Sequence, residues 1–280
     1  PEILDLYTGN DPKSRHFLEN VRRYNSLLNF ASMKMHDERP RMANGQPCPI
    51  AALRISGQIQ HFAGPLRPNP GQAPRGSQVF LLDAREQLAI RSGNAGVDPE
   101  VMAKLQRAVL RVNPFVRMYQ QADEQIRNLG ASIAEARIVI HAERRPAGVH
   151  PRQANAQLAD ELAVVVTNGE SPNLRALDIV LSPTPAHAAR GSGLVEIKAL
   201  NPLRDPLHFV LLFPNGEEGY HLDIPKVNNG GRARKMVTER EYYAYKLHAR
   251  PPADDDPSFY TVAGGQPHAF AAPLRSKKLS

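Results

Sequence analysis

The chain has no tryptophan and a single cysteine, Cys48. One thiol cannot close an intramolecular disulfide, and no Cys/His cluster has the spacing of a zinc site. A reducing compartment, nucleus or cytosol, is the expectation. No apolar run approaches the roughly 20 residues that a membrane helix needs. The longest, residues 162–166 and 209–213, have the length of core strands. No secretory leader is visible, and a start at Pro1 rather than methionine reads as a piece of a longer protein.

Several kinds of chemistry lack their residues. A nucleotide-binding P-loop needs Gly-x4-Gly-Lys-Ser/Thr, and the steps Gly93-Asn94-Ala95-Gly96 and Gly230-Gly231 lack both the spacing and the lysine. No Gly-x-Ser-x-Gly elbow occurs, and Gly191-Ser192-Gly193 reads as a flexible turn. Rolling-circle nucleases pair a His-apolar-His metal site with a tyrosine nucleophile. Tyr242, Tyr243 and Tyr245 fall on a predicted helix, but no His-apolar-His triplet exists, and His141 and His150 are separated by Arg144-Arg145-Pro146. The tyrosines therefore read as core or stacking residues. No catalytic residue, cofactor or metal is assigned.

What the chain does have is positive charge. Its 35 basic residues outnumber 28 acidic ones, for a net charge of +7. That balance favours a polyanionic partner such as DNA. With 41% hydrophobic residues the chain reads as globular, and 25 prolines with 19 glycines imply short elements joined by many loops.

Residues 12–30 read as an amphipathic helix, with Asp11 as N-cap, Pro12 in the first turn and Phe17, Val21, Tyr24 and Leu28 on one face. Residues 36–49 read as a polar loop and 53–59 as a half-buried strand. Residues 63–77, with four prolines, form a long connection, and 78–83 a buried strand. A helix over 98–111 starts at Asp98-Pro99-Glu100, breaks at Asn113-Pro114 and is followed by a second over 115–129. Strands are expected at 137–141, 178–181, 194–199 and 208–213. Residues 158–166 stay open between helix and strand. Pro214-Asn215-Gly216 reads as a tight turn. A last helix spans 238–247, where Thr238 and Glu241 form a capping box.

The fold class is α+β: short mixed strands with an N-terminal helix, a central helical pair and a disordered C-terminal tail. Residues 1–130 form an N-terminal α+β part, 131–250 a strand-rich part ending in a helix, and 251–280 the tail.

Candidate phosphate contacts form two groups. Arg232, Arg234, Lys235 and Lys246 belong to a stretch, 230–250, with six basic and two acidic residues. Arg22, Arg23, Arg54 and Arg67 form a scattered second set. Tyr24, Phe62 and Tyr119 are candidates for base stacking, although their residue type favours core packing.

Several segments, in order, resemble the region before the Rep nuclease domain of Helitron transposases. Phe17-Leu18-Glu19-Asn20-Val21-Arg22-Arg23-Tyr24-Asn25-Ser26 runs on to Phe30-Ala31-Ser32. Leu53-Arg54-Ile55-Ser56-Gly57-Gln58-Ile59-Gln60-His61, Asn113-Pro114-Phe115-Val116, Asp205-Pro206-Leu207 and Gly216-Glu217-Glu218-Gly219-Tyr220-His221 follow. Arg240-Glu241-Tyr242-Tyr243-Ala244-Tyr245-Lys246-Leu247 closes the set. Ser56 stands where the family pattern has histidine. The resemblance implies a non-catalytic DNA-binding or scaffolding region in the nucleus, partnered by Rep and helicase domains that would carry nicking and unwinding. The alternative is a structural packing segment or a transposon relic without activity of its own.

Overall fold

The computed structural model describes residues 2–38, 54–129, 136–141, 163–166, 176–188, 193–222, 224 and 236–247. Helix α1 (Glu2–Thr8) leads into α2 (Pro12–Leu28), where the Asp11 carboxylate accepts hydrogen bonds from the Lys13 and Ser14 amides. Those are backbone donors that a helix start leaves unpaired. Phe17, Tyr24 and Leu28 form the buried face of α2. The Tyr24 hydroxyl accepts a 2.8 Å hydrogen bond from the Asp98 amide, tying α2 to the start of α4 (Pro99–Val112).

Asp98 caps α4 as the sequence predicts, accepting from the Glu100 and Val101 amides. Asn113 serves two helices. Its amide donates to the Val109 carbonyl, ending α4, and its side chain accepts from the Phe115 amide, starting α5 (Pro114–Asn128). The central helical pair is thus written in one Asn-Pro step.

The strands form two antiparallel three-stranded sheets. One has the order β1 (Ala31–Glu38), β2 (Arg54–Ala63), β6 (Val195–Ile197). The other has the order β4 (Ala163–Val166), β3 (Arg137–Ile140), β5 (Ile179–Leu181). In the first, Ser32 and Glu196 both face Phe62, and His61 pairs with Met33 and Ile197. The period-2 alternation puts Phe62 on one face of the sheet and His61 and Ala63 on the other. Strand β6 follows position 130 and β2 precedes it, so the two halves share a sheet. They also share a hydrophobic core that runs from Ile3 to Leu211 among the described residues. At its centre Phe30 stacks on Phe80 at 4.5 Å and on Tyr119 at 5.4 Å, with Phe115 edge-on at 5.7 Å. Such ring pairs add about 0.5–1.5 kcal/mol each beyond area burial.

The α+β class is as expected, but several elements differ. Residues 78–83 are not a strand. Gly76–Leu81 is a 3-10 helix in which the Gln78 side chain accepts from the Arg75 amide, and Asp83 caps helix α3 (Ala84–Ser92). Residues 208–213 are not a strand either. Helix α6 (Arg204–His208) is followed by turns in which the Leu212 and Phe213 amides both donate to the Phe209 carbonyl. Helices α1 and α3 and the first part of β1 have no counterpart in the sequence reading, and β1 extends into the expected loop at 36–49. Gly216 closes the turn read from Pro214-Asn215-Gly216. Its φ is +61°, and an added Cβ would lie 2.8 Å from Pro114. Helix α7 (Glu239–Leu247) carries the capping box: the Thr238 amide donates to the Glu241 carboxylate at 3.0 Å, and the Glu241 amide donates back to the Thr238 hydroxyl at 3.3 Å. The expected tail, 251–280, lies outside the described residues, as do 158–162.

Candidate nucleic-acid interface

Helix α4 separates its two faces sharply. Val101, Met102, Leu105, Ala108 and Val109 are buried. Lys104, Arg107 and Arg111 are exposed. Their spacing of three and four residues sets them in one row on the outer surface, spanning about 10 Å along the axis. Glu100 begins the same row, but its carboxylate is ion-paired with Lys13. Arg117, in the first turns of α5, is also exposed. An exposed row of long cations on a rigid, well-packed helix is suited to phosphate contact. The sequence held the signal, because the spacing that reveals the apolar face of 98–111 also aligns these three cations. The candidate phosphate contacts read from the sequence do not include them.

The candidates named from sequence divide into three kinds. Arg22 is exposed on α2. Arg23 is exposed and donates from Nη1 to the Ala95 carbonyl at 2.8 Å, bracing the loop before α4. Arg67 and Lys246 are engaged inside the fold. Arg67 is paired with the buried Asp123 carboxylate, which also takes Arg127 at 2.7 Å. Lys246, with its side chain 10% exposed, holds Glu217 at 2.8 Å and lies 4.3 Å from the centre of the Phe213 ring. Both charges are already matched by carboxylates. Arg54 begins β2, with its side chain outside the description, and Arg232, Arg234 and Lys235 lie outside the described residues.

The aromatic candidates divide too. Tyr24 and Tyr119 are in the core, whereas Phe62 is half-buried. Phe62 lines a groove of about 510 Å³ between the β1–β2 ladder and the 68–78 segment, with Lys34 Nζ 5.3 Å from its ring centre.

The tyrosines of α7 are built into hydrogen bonds. The Tyr243 hydroxyl donates to the Asp205 carboxylate, which also takes Arg204 Nε at 3.0 Å. The Tyr242 hydroxyl donates to the Glu218 carbonyl at 2.9 Å. Burial first, then the neighbouring carboxylates, pushes both phenols well above their ordinary pKa. Each is held in its neutral, weakly nucleophilic form. Beside them His61 and His208 meet under the first sheet. Burial, with His208 and then Arg204 adding to it, lowers the His61 pKa to about 4. Among the described residues no group of three or more His, Cys, Asp or Glu is placed to hold a metal ion, and no helix is long and apolar enough to cross a membrane.

The chain matches no protein-family model, no curated protein and no solved structure. The likeness to Helitron proteins therefore rests on the ordered sequence segments alone.

Proposed function

We propose that this chain is a non-catalytic DNA-binding module, of the kind the Helitron resemblance implies, acting in the nucleus beside separate nuclease and helicase domains. The observation that carries the reading is the exposed row Lys104, Arg107 and Arg111 on α4 in a chain of net charge +7. Phosphate contact dominates such binding. Affinity then depends steeply on salt and weakly on sequence. The helix face positions the strand, and bond breaking belongs to the partner domains. Fluorescence anisotropy with labelled DNA at low salt tests it. Micromolar binding that weakens steeply with added salt is expected, and no binding at low salt overturns the reading.

A second reading, a packing segment for the neighbouring domains, draws on α7. No residue of that helix is fully buried, and Tyr245 and Leu247 are exposed. If Rep and helicase domains protect the amides of α7 from hydrogen exchange while DNA affinity is nil, this reading replaces the first.

A further inference from the structure

The groove beside Phe62 is separate from the α4 row, and its chemistry fits a base and its phosphate. Its walls combine Phe62 with Pro65, Pro68 and Leu194, and among the described residues that line it Arg75 is the charged side chain. Ser32 and Gln72 add hydrogen-bonding groups at exposed positions. Phe62 projects from β2 on the face opposite the buried His61 and Ala63, so its position on the groove wall follows from strand alternation. Lys34 sits near its ring, adding a second cation. Glu196, cross-strand from Phe62 on β6, accepts a 3.1 Å hydrogen bond from Gln60. A cavity of about 510 Å³ is within the usual range for small-ligand sites, roughly 300–1,000 Å³.

We infer that this groove takes one unpaired base of single-stranded nucleic acid, stacked on Phe62, with the adjoining phosphate held by Arg75 and Lys34. The inference rests on the DNA-binding reading and adds strand selectivity to it. Stacking is sequence-tolerant because every base has a π-face, and paired bases in a duplex are not free to enter. The α4 row holds backbone in either form, whereas the groove favours the single strand.

The absence of native tryptophan supplies the probe. Phe62→Trp installs the only indole in the chain. Its fluorescence should be quenched by oligothymidine and left unchanged by an abasic strand of equal length and charge. Phe62→Leu keeps apolar bulk without an aromatic face. It should weaken oligothymidine binding roughly tenfold, in line with the measured worth of one base–aromatic stack, and leave abasic-strand and duplex binding unaltered. If Phe62→Leu binds oligothymidine like wild type while Lys104, Arg107 and Arg111 to alanine reduces binding to all three ligands, the groove assignment is overturned and the DNA-binding reading stands. If the wild-type chain binds none of them at low salt, both are overturned.

Discussion

The imidazoles of His61 and His208 meet edge to face, with ring centres 5.0 Å apart, at the seam between β2 and α6. His208 Nδ1 is 2.9 Å from the Ala31 carbonyl, so it carries the proton and donates. Both nitrogens of His61 are buried, with no hydrogen-bond partner among the described residues. Asp205 and Arg204 on α6 are the charged groups that act on this pair, and Tyr243 from α7 donates to Asp205.

The seam makes stability depend on pH. Burial lowers the His61 pKa to about 4, and lowers that of His208 as well. In the unfolded chain both titrate near 6.5. Between about 6.5 and 4 the unfolded state therefore binds more protons, and stability falls as pH drops through that window. Urea midpoints should decline from pH 7 to pH 5. His61→Leu should flatten the decline, since an apolar ring replacement forfeits no hydrogen bond. An equal decline in the variant contradicts the assignment.

Arg91, 1% exposed, is held by neutral acceptors: the Leu27 carbonyl at 2.9 Å, Gln87 at 2.8 Å and Gln106 at 2.7 Å. It joins α2, α3 and α4, and its guanidinium lies over the Phe80 ring at 4.3 Å. Arg91→Ala should cost about 3 kcal/mol or more in urea denaturation, because it strands the buried Gln87 and Gln106 acceptors and the part-buried Leu27 carbonyl. Arg91→Lys should recover little, since an ammonium cannot match the planar fork. A loss under about 1 kcal/mol for Arg91→Ala refutes this role.

Asn113→Ala removes the cap of α5 at a buried junction. Thermal unfolding should show a loss of about 1–2 kcal/mol. Stability equal to wild type would mean that the Asn-Pro step is held by packing alone.

Tyr243→Phe deletes the hydroxyl on Asp205 while Arg204 stays in place. Stability should fall by about 1–2 kcal/mol, and DNA affinity should not change. A metal-dependent nicking activity on single-stranded DNA that vanishes in Tyr243→Phe would instead make the tyrosine a nucleophile.

Local signals were legible where capping chemistry writes an element's ends. Asp11-Pro12, Asp98-Pro99 and Thr238 with Glu241 each mark a helix start in sequence and in structure, and Asn113-Pro114, read in sequence as a break, both ends α4 and starts α5. The apolar runs 78–83 and 208–213 misled. A segment buried on all sides has no period, so a short buried helix or turn reads like a core strand. The telling residues were at their edges: Asp83 as the cap of α3, and Asp205-Pro206 in the first turn of α6. For the site, composition gave the sign of the charge but not its placement. Arg67 and Lys246 look like free cations until Asp123 and Glu217, 56 and 29 residues away, come against them. Lys104, Arg107 and Arg111 were readable from helical spacing alone.

The most direct test is the salt dependence of DNA binding with and without the α4 row. For the wild-type chain, the logarithm of the binding constant should fall linearly with the logarithm of salt. Replacing Lys104, Arg107 and Arg111 with alanine should reduce the slope by about two to three. An unchanged slope and affinity in the triple variant, with the chain still folded, would contradict the account.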